Sequence, residues 1–187
     1  GSVIPEFVRE DYHSCWLIFT DELGLGSQLA RRLEQEHFAV FTVKAGEHYA
    51  RDSENSFTIN PRVAADYDEL LSEISGLGLK LTHVVHAWSI TGSGEAFGDE
   101  ASFELMQSLG FYSLLELVQS LGRHGGTEPL RIDVLTDDMQ QVTGNEKLRP
   151  EKATVLGPCK VAPQEYQHLS MRSIDFSLPP RATMIEE

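Results

Sequence analysis

Cys15-Trp16-Leu17-Ile18-Phe19-Thr20-Asp21-Glu22-Leu23-Gly24-Leu25-Gly26, running on into Ser27-Gln28-Leu29-Ala30-Arg31-Arg32-Leu33-Glu34-Gln35-Glu36, decides the fold. Residues 15–19 are apolar on both faces, which suits a strand buried on both sides in the middle of a parallel sheet. A short turn with two glycines follows. Leu25, Leu29 and Leu33 then recur four apart, placing a leucine stripe on one face of a helix. Strand, glycine turn and helix form the opening unit of a dinucleotide-binding fold.

That unit has a specific requirement. A pyrophosphate sits on the helix N-terminus, where free N–H groups and the helix dipole favour negative charge, and glycines let the backbone come close. Here Asp21 and Glu22 stand where glycines are expected, and only Gly24 and Gly26 remain. Two carboxylates repel a pyrophosphate and fill its space. Alternatively, Asp21 caps the helix while Gly24 and Gly26 serve the turn and helix–strand packing. Asp21, Glu22, Gly24 and Gly26 therefore form a degenerate loop, and no cofactor is expected on it.

The 187 residues suit one compact α/β domain. The net charge of −14 argues against nucleic acid, whose phosphates need a basic face. Residues 1–146 hold 9 basic and 24 acidic side chains, a balance of −15, whereas residues 147–187 hold 6 and 5, a balance of +1. No run approaches the ~20 apolar residues of a membrane helix, and no signal peptide is visible. Cys15 and Cys159 lie in apolar surroundings and read as buried thiols of a cytoplasmic protein. Gly1-Ser2 reads as a cloning remnant, and Glu6-Phe7 fits with it. The expected organisation is one Rossmann-like unit over residues 1–176 and a flexible tail over 177–187.

Further strands are expected at residues 38–44, 57–59, 81–88, 130–136 and 171–176, with 47–55, 89–98 and 137–145 as polar loops. Val63, Tyr67, Leu70, Leu71 and Ile74 follow helical spacing. Residues 101–121 read as one helix of about six turns with Phe103, Met106, Leu109, Ser113, Leu114, Leu117, Val118 and Leu121 on its apolar stripe. Residues 152–161 are largely apolar. Strands alternating with helices predict a mainly parallel sheet centred on residues 15–19, with helices on both faces and right-handed crossovers. His83 and His86, three apart on a strand, point to opposite faces, and no ligand partner stands at metal spacing.

A short-chain reductase needs a tyrosine with lysine or asparagine four residues later, and a serine after the fifth strand. Four residues beyond Tyr12, Tyr49, Tyr67, Tyr112 and Tyr166 stand Trp16, Ser53, Leu71, Glu116 and Ser170. Thr136 is followed by Asp137-Asp138-Met139, without a serine.

These residues carry a resemblance. Trp16–Glu22 with Gly24 and Gly26, Val84-Val85-His86-Ala87-Trp88-Ser89, Phe111-Tyr112-Ser113-Leu114-Leu115-Glu116-Leu117, and the block from Val155 to Tyr166 with Arg172-Ser173-Ile174-Asp175 resemble the ketoreductase region of modular type I polyketide synthases. In that family the region has two Rossmann-like halves. The resemblance is to the first, structural half, a truncated fold that binds no cofactor; the second holds NADPH and the catalytic residues. It implies a non-catalytic subdomain of a multienzyme that stabilises or positions an adjacent catalytic half or another modifying domain. Two other classes stand beside it: an NADPH-dependent reductase, and a docking module for an acyl carrier protein or neighbouring domain. A scaffold is expected to expose apolar surface, contributed by residues 155–176 and the long helix, unless residues 155–176 instead complete the chain's own core.

Overall fold

In the computed structural model, residues 14–92, 100–140 and 148–177 are described. The apolar opening run forms β1 (Ser14–Phe19), in which Cys15, Leu17, Ile18 and Phe19 are fully buried. The leucine stripe forms α1 (Leu25–Gln35). The chain continues through β2 (Ala39–Ala45), β3 (Ala50–Arg51), β4 (Ser56–Ile59), α2 (Ala64–Gly76) and β5 (Lys80–Ser89). Beyond it come α3 (Glu100–Gln107), a π turn (Ser108–Tyr112), α4 (Ser113–Arg123) and β6 (Leu130–Asp137). A 3-10 turn (Pro150–Val155), α5 (Leu156–Glu165) and β7 (Leu169–Phe176) complete it.

One seven-stranded sheet runs in the order β3-β4-β2-β1-β5-β6-β7, so β1 is its centre, as expected. Its neighbours β2 and β5 both pair with it in parallel, Leu17 lying opposite Phe41 on one side and Val84 on the other. Every pairing is parallel except that of β3 with β4. That exception corrects the reading of residues 47–55 as loop alone. The passage from β2 to β4 carries no helix; it returns as an extended segment, and Ala50–Arg51 pairs antiparallel along the outer margin of β4. The opposite margin is β7, paired to β6 over its whole length.

Helices lie on both faces, unequally. The larger core packs α2, α4 and α5 against Cys15, Leu17, Phe19, Val43, Val84, Ile132 and Val134. On the other face α1 sets Ala30, with half-buried Leu29 and Leu33, against Ile18, Val40 and Val85. The histidines of β5 divide as their spacing requires: His83 stacks on Trp16 with 4.1 Å between ring centroids, and His86 packs against Phe19 on the opposite face.

Residues 101–121 are not one regular helix. The π turn interposes a wider turn between α3 and α4 and offsets the stripe. Leu114, Leu117, Val118 and Leu121 are buried as expected, but Phe103 is exposed. Residues 152–161 are the 3-10 turn and most of α5, and Val155, Cys159 and Ala162 face the chain's own core. The apolar surface expected of this block is therefore small: Val161 is 49% exposed, while Met171, Ile174 and Phe176 on β7 are half-covered. The other expected contributor, residues 101–121, exposes Phe103, Leu105 and Tyr112. Expectations for residues 1–13, 93–99, 141–147 and 178–187 lie outside the described residues.

This division of the core is measurable. Leu117→Ala, in the larger cluster, is expected to lower unfolding free energy by about 2–5 kcal/mol. Leu77→Ala, at a side chain 51% exposed, is expected to stay within about 0.5 kcal/mol. Urea midpoints at unchanged slope read both; equal losses would place the core wrongly.

Candidate cleft at the sheet crest

Strand order reverses between β1 and β5, and in an open parallel sheet ligands bind at the carboxyl ends of the strands beside such a point. The N-terminus of α1 opens there. Gly24 precedes the helix with φ of 88°, a left-handed conformation that favours glycine. At Gly26, a Cβ would lie 3.0 Å from the Thr20 Cα, so the helix approaches the end of β1 closely only because no side chain intervenes.

The first N–H groups of α1 have no partner within the helix. Two of them are taken by Asp21: its Oδ2 accepts from Leu25 at 3.2 Å and its Oδ1 from Gly26 at 2.6 Å. Asp21 is buried, and Thr20 beside it donates to the Val43 carbonyl. The chain's own carboxylate thus occupies the anion position at the helix N-terminus, where the dipole favours it. This is the capping geometry that was the alternative reading of Asp21. Glu22 is exposed and makes none of these bonds among the described residues.

Behind this loop lies a cavity of about 700 Å³. Asp21, Glu22 and Lys44 contribute charge to its lining, and Leu23, Trp88, Ile90, Met106 and Leu109 contribute most of its apolar wall.

At the end of β6, the sequence reading missed the principal polar cluster. Asp137 is not in a loop but is the fully buried last residue of β6. Its Oδ1 accepts from the Thr91 N–H at 2.9 Å and its Oδ2 from the Gly92 N–H at 2.8 Å, pinning the segment after β5. Buried Lys152 donates to the Asp137 Oδ1 and, at 3.0 Å, to its carbonyl. Burial pushes the Lys152 ammonium below its usual range, and the Asp137 carboxylate opposes that shift. The available signal was one lysine inside an apolar run, with an acid just beyond a strand. Arg149, also buried, directs its Nη2 to the Gly92 carbonyl at 3.5 Å.

Among the described residues no tyrosine stands where a reductase would use one. α5 contains none; Tyr166 ends it, and its ring lies against Gly122, away from the crest. Tyr67 is buried and donates to the Pro61 carbonyl, Tyr49 donates to Glu73, and Tyr112 lies under the Arg62 guanidinium. Tyr12 falls outside the described residues. Among the described residues no group of three or more His, Cys, Asp or Glu side chains converges as metal ligands. No helix among them is long and apolar enough to cross a membrane. Burial raises the Cys15 and Cys159 thiols to about 12 and about 11.

His86 is fully buried. Its Nε2 lies 2.9 Å from the Ser113 Oγ. The Ser113 hydroxyl donates to the Leu109 and Gly110 carbonyls of the π turn, so the imidazole Nε2–H is the donor to it. The Nδ1 has no partner among the described residues. Burial lowers the ring's pKa from 6.5 to about 3, keeping it neutral.

A family model described as beta-ketoacyl synthase-like, N-terminal, matches residues 15–183. No curated protein matches the chain significantly. Among solved structures, a multidomain keto acid-selecting NRPS module with adenylation, ketoreductase and pseudo Asub domains is similar at TM-score 0.80 and 24% identity over 87% of this chain. An N-terminal ketoreductase from the macrolactin assembly line is similar at TM-score 0.71 and 17% identity over 88%. A short-chain dehydrogenase/reductase from Serratia marcescens is similar at TM-score 0.62 and 14% identity, covering 88% of this chain and 78% of that one. The chain spans 13% and 32% of the first two. At these identities the likeness shows the fold, and it is the Rossmann-like one that the sequence predicts.

Two expectations follow from the buried charge and the buried ring. Lys152→Met strands the Asp137 carboxylate and should cost about 3–5 kcal/mol in urea unfolding, part of it recovered by adding Asp137→Asn. For His86, the folded state binds its proton only near pH 3, whereas the unfolded ring protonates near 6.5. Its contribution is complete above pH 6.5 and declines as pH falls toward 3, by about 1.4 kcal/mol per unit. His86→Gln should therefore lose less stability than the wild type between pH 7 and 5.5; parallel losses would contradict the assignment.

Proposed function

The chain belongs to the family described as beta-ketoacyl synthase-like, N-terminal, and from that premise we propose that it is a non-catalytic structural subdomain of a polyketide synthase ketoreductase region. Its work is to hold and position an adjacent catalytic half or another modifying domain during polyketide chain synthesis. The observation that carries this reading is Asp21. A dinucleotide's pyrophosphate needs the N–H groups of Leu25 and Gly26, and both are already engaged by an internal carboxylate. A phosphate entering there would have to displace that carboxylate and face Glu22 as well. The residues at the crest do not fit the pyrophosphate of NADPH.

Two further observations support the reading. The end of β6, where a reductase places a carbonyl-binding serine, holds the buried Asp137–Lys152 pair instead. Lys152 is almost wholly buried and engaged, so it has no access to a substrate. The exposed apolar side chains around the π turn, Phe103, Leu105 and Tyr112, supply a surface for a neighbouring synthase domain. Docking of an acyl carrier protein is the third possibility, and no specific observation favours it over a neighbouring domain.

NADPH titration tests the proposal. Ligand at 100 times its dissociation constant adds about 2.7 kcal/mol to stability. We expect no saturable heat in calorimetry and no rise in melting temperature at millimolar NADPH. Saturable binding that Gly24→Val abolishes would restore the alternative of an NADPH-dependent reductase.

A further inference from the structure

We infer that residues 100–112 have two helical registers, and that the buried His86–Ser113 pair latches them in the one observed. The device is independent of the proposed function: it holds whether or not a synthase domain meets this surface.

The latch is written in the hydrogen bonds of the π turn. There the Ser113 N–H reaches the Ser108 carbonyl, five residues back. A regular α-helix would give that N–H to the Leu109 carbonyl, four residues back. The wider turn therefore leaves the Leu109 carbonyl without its helical donor. The Ser113 hydroxyl takes the place of its own amide there, donating to Leu109 at 2.6 Å and also lying 3.1 Å from the Gly110 carbonyl. Such back-bonding from a serine competes with regular helix and bends it. His86 completes the pair, its Nε2 lying 2.9 Å from the Ser113 Oγ. Both side chains are fully buried, and His86 belongs to β5, so the turn is tied to the sheet.

Arg62 clamps the same turn from outside. Its guanidinium donates to the Glu104 Oε2 at 2.7 Å and to the Ser108 Oγ at 3.1 Å, and lies 4.7 Å from the Tyr112 ring centroid. These partners stand on both sides of the widened turn. The Gln107 Nε2 adds a bond to the Glu151 carbonyl at 3.0 Å.

The apolar pattern of the chain favours the other register. Phe103 precedes Leu114 by eleven residues and Leu121 by eighteen, about three and five whole turns of a regular helix. In a regular helix it lies on their stripe, but with the turn widened it is 47% exposed. Converting the π turn to α would rotate α3 by about 100° and shift it by about 1.5 Å relative to α4. Phe103 would leave the surface, the Leu109 carbonyl would regain a backbone donor, and the Arg62 and Gln107 bonds would be lost. Apolar burial thus pulls toward one register while the polar latch holds the other, which is the condition for a two-state element. The latch decides whether Phe103 is presented.

The test uses the whole chain with para-fluorophenylalanine at position 103, alone and combined with Ser113→Ala or Arg62→Ala. Couplings across hydrogen bonds, read by NMR, show which carbonyl the residue-113 amide meets. The fluorine shift between light and heavy water reads exposure of the ring. Without a second change, the amide should pair with the Ser108 carbonyl and the ring should be exposed. Ser113→Ala removes the hydroxyl, so the amide should move to the Leu109 carbonyl and the ring should lose its solvent shift. Arg62→Ala, at an exposed side chain, should raise a minor protected resonance and leave the major one in place. A ring already protected before either change overturns the inference. So does a Ser113→Ala chain that loses stability with its pairing unchanged. Should Ser113→Ala fail to fold, Arg62→Ala decides alone, and a single exposed resonance there overturns it.

Discussion

A carboxylate with no exposure to water governs the crest of the sheet. Asp137 accepts from two consecutive N–H groups of the segment after β5 and from the buried Lys152 ammonium, and it terminates β6. A charge in such a place persists only when paired and hydrogen-bonded on every side, because the unpaired state costs several kcal/mol. The consequence is geometric. The end of β5, the end of β6 and the 3-10 turn cannot move independently while these bonds stand. β7 is joined to the same assembly, since Asp175 accepts from the Thr136 hydroxyl and from the Met139 and Gln140 N–H groups.

Asp21 does at β1 what Asp137 does at β6. Each carboxylate closes a backbone N–H pair that an open α/β fold would otherwise present to a ligand. A dinucleotide contributes binding energy and orders the loops around it; here side chains supply the order from within. That makes the crest self-sufficient.

The fold was legible in the sequence because its signals are local. Residues 15–19 are too apolar for anything but a central strand, and the glycine turn and Leu29–Leu33 spacing complete the unit. The spacing of His83 and His86 gave their faces correctly. At the site, Asp21 was legible as a cap because capping acts over a few residues. Asp137 and Lys152 were not, since fifteen positions separate them and nothing in either neighbourhood announces a buried pair. The π turn was hidden for a related reason: the apolar spacing of residues 101–121 fits a regular helix, and the offset appears only when Gly110 is set against Val155 and Ser89. β3 escaped because two residues give no periodicity to read.

The two margins of the sheet are unlike. Two residues of β3 close off one side, while β7 runs for eight residues with no further strand beyond it among the described residues. A long edge strand is a general template for lateral pairing between copies, a liability that proteins manage with charge. Exposed Arg172 puts a positive charge on that strand, and charged side chains at a sheet margin discourage edge-to-edge pairing. Its bond to Asp133 holds the guanidinium on the sheet while tempering its charge. The net charge of −14 holds copies apart, and because salt screens that repulsion, high ionic strength is the condition under which this margin would matter most.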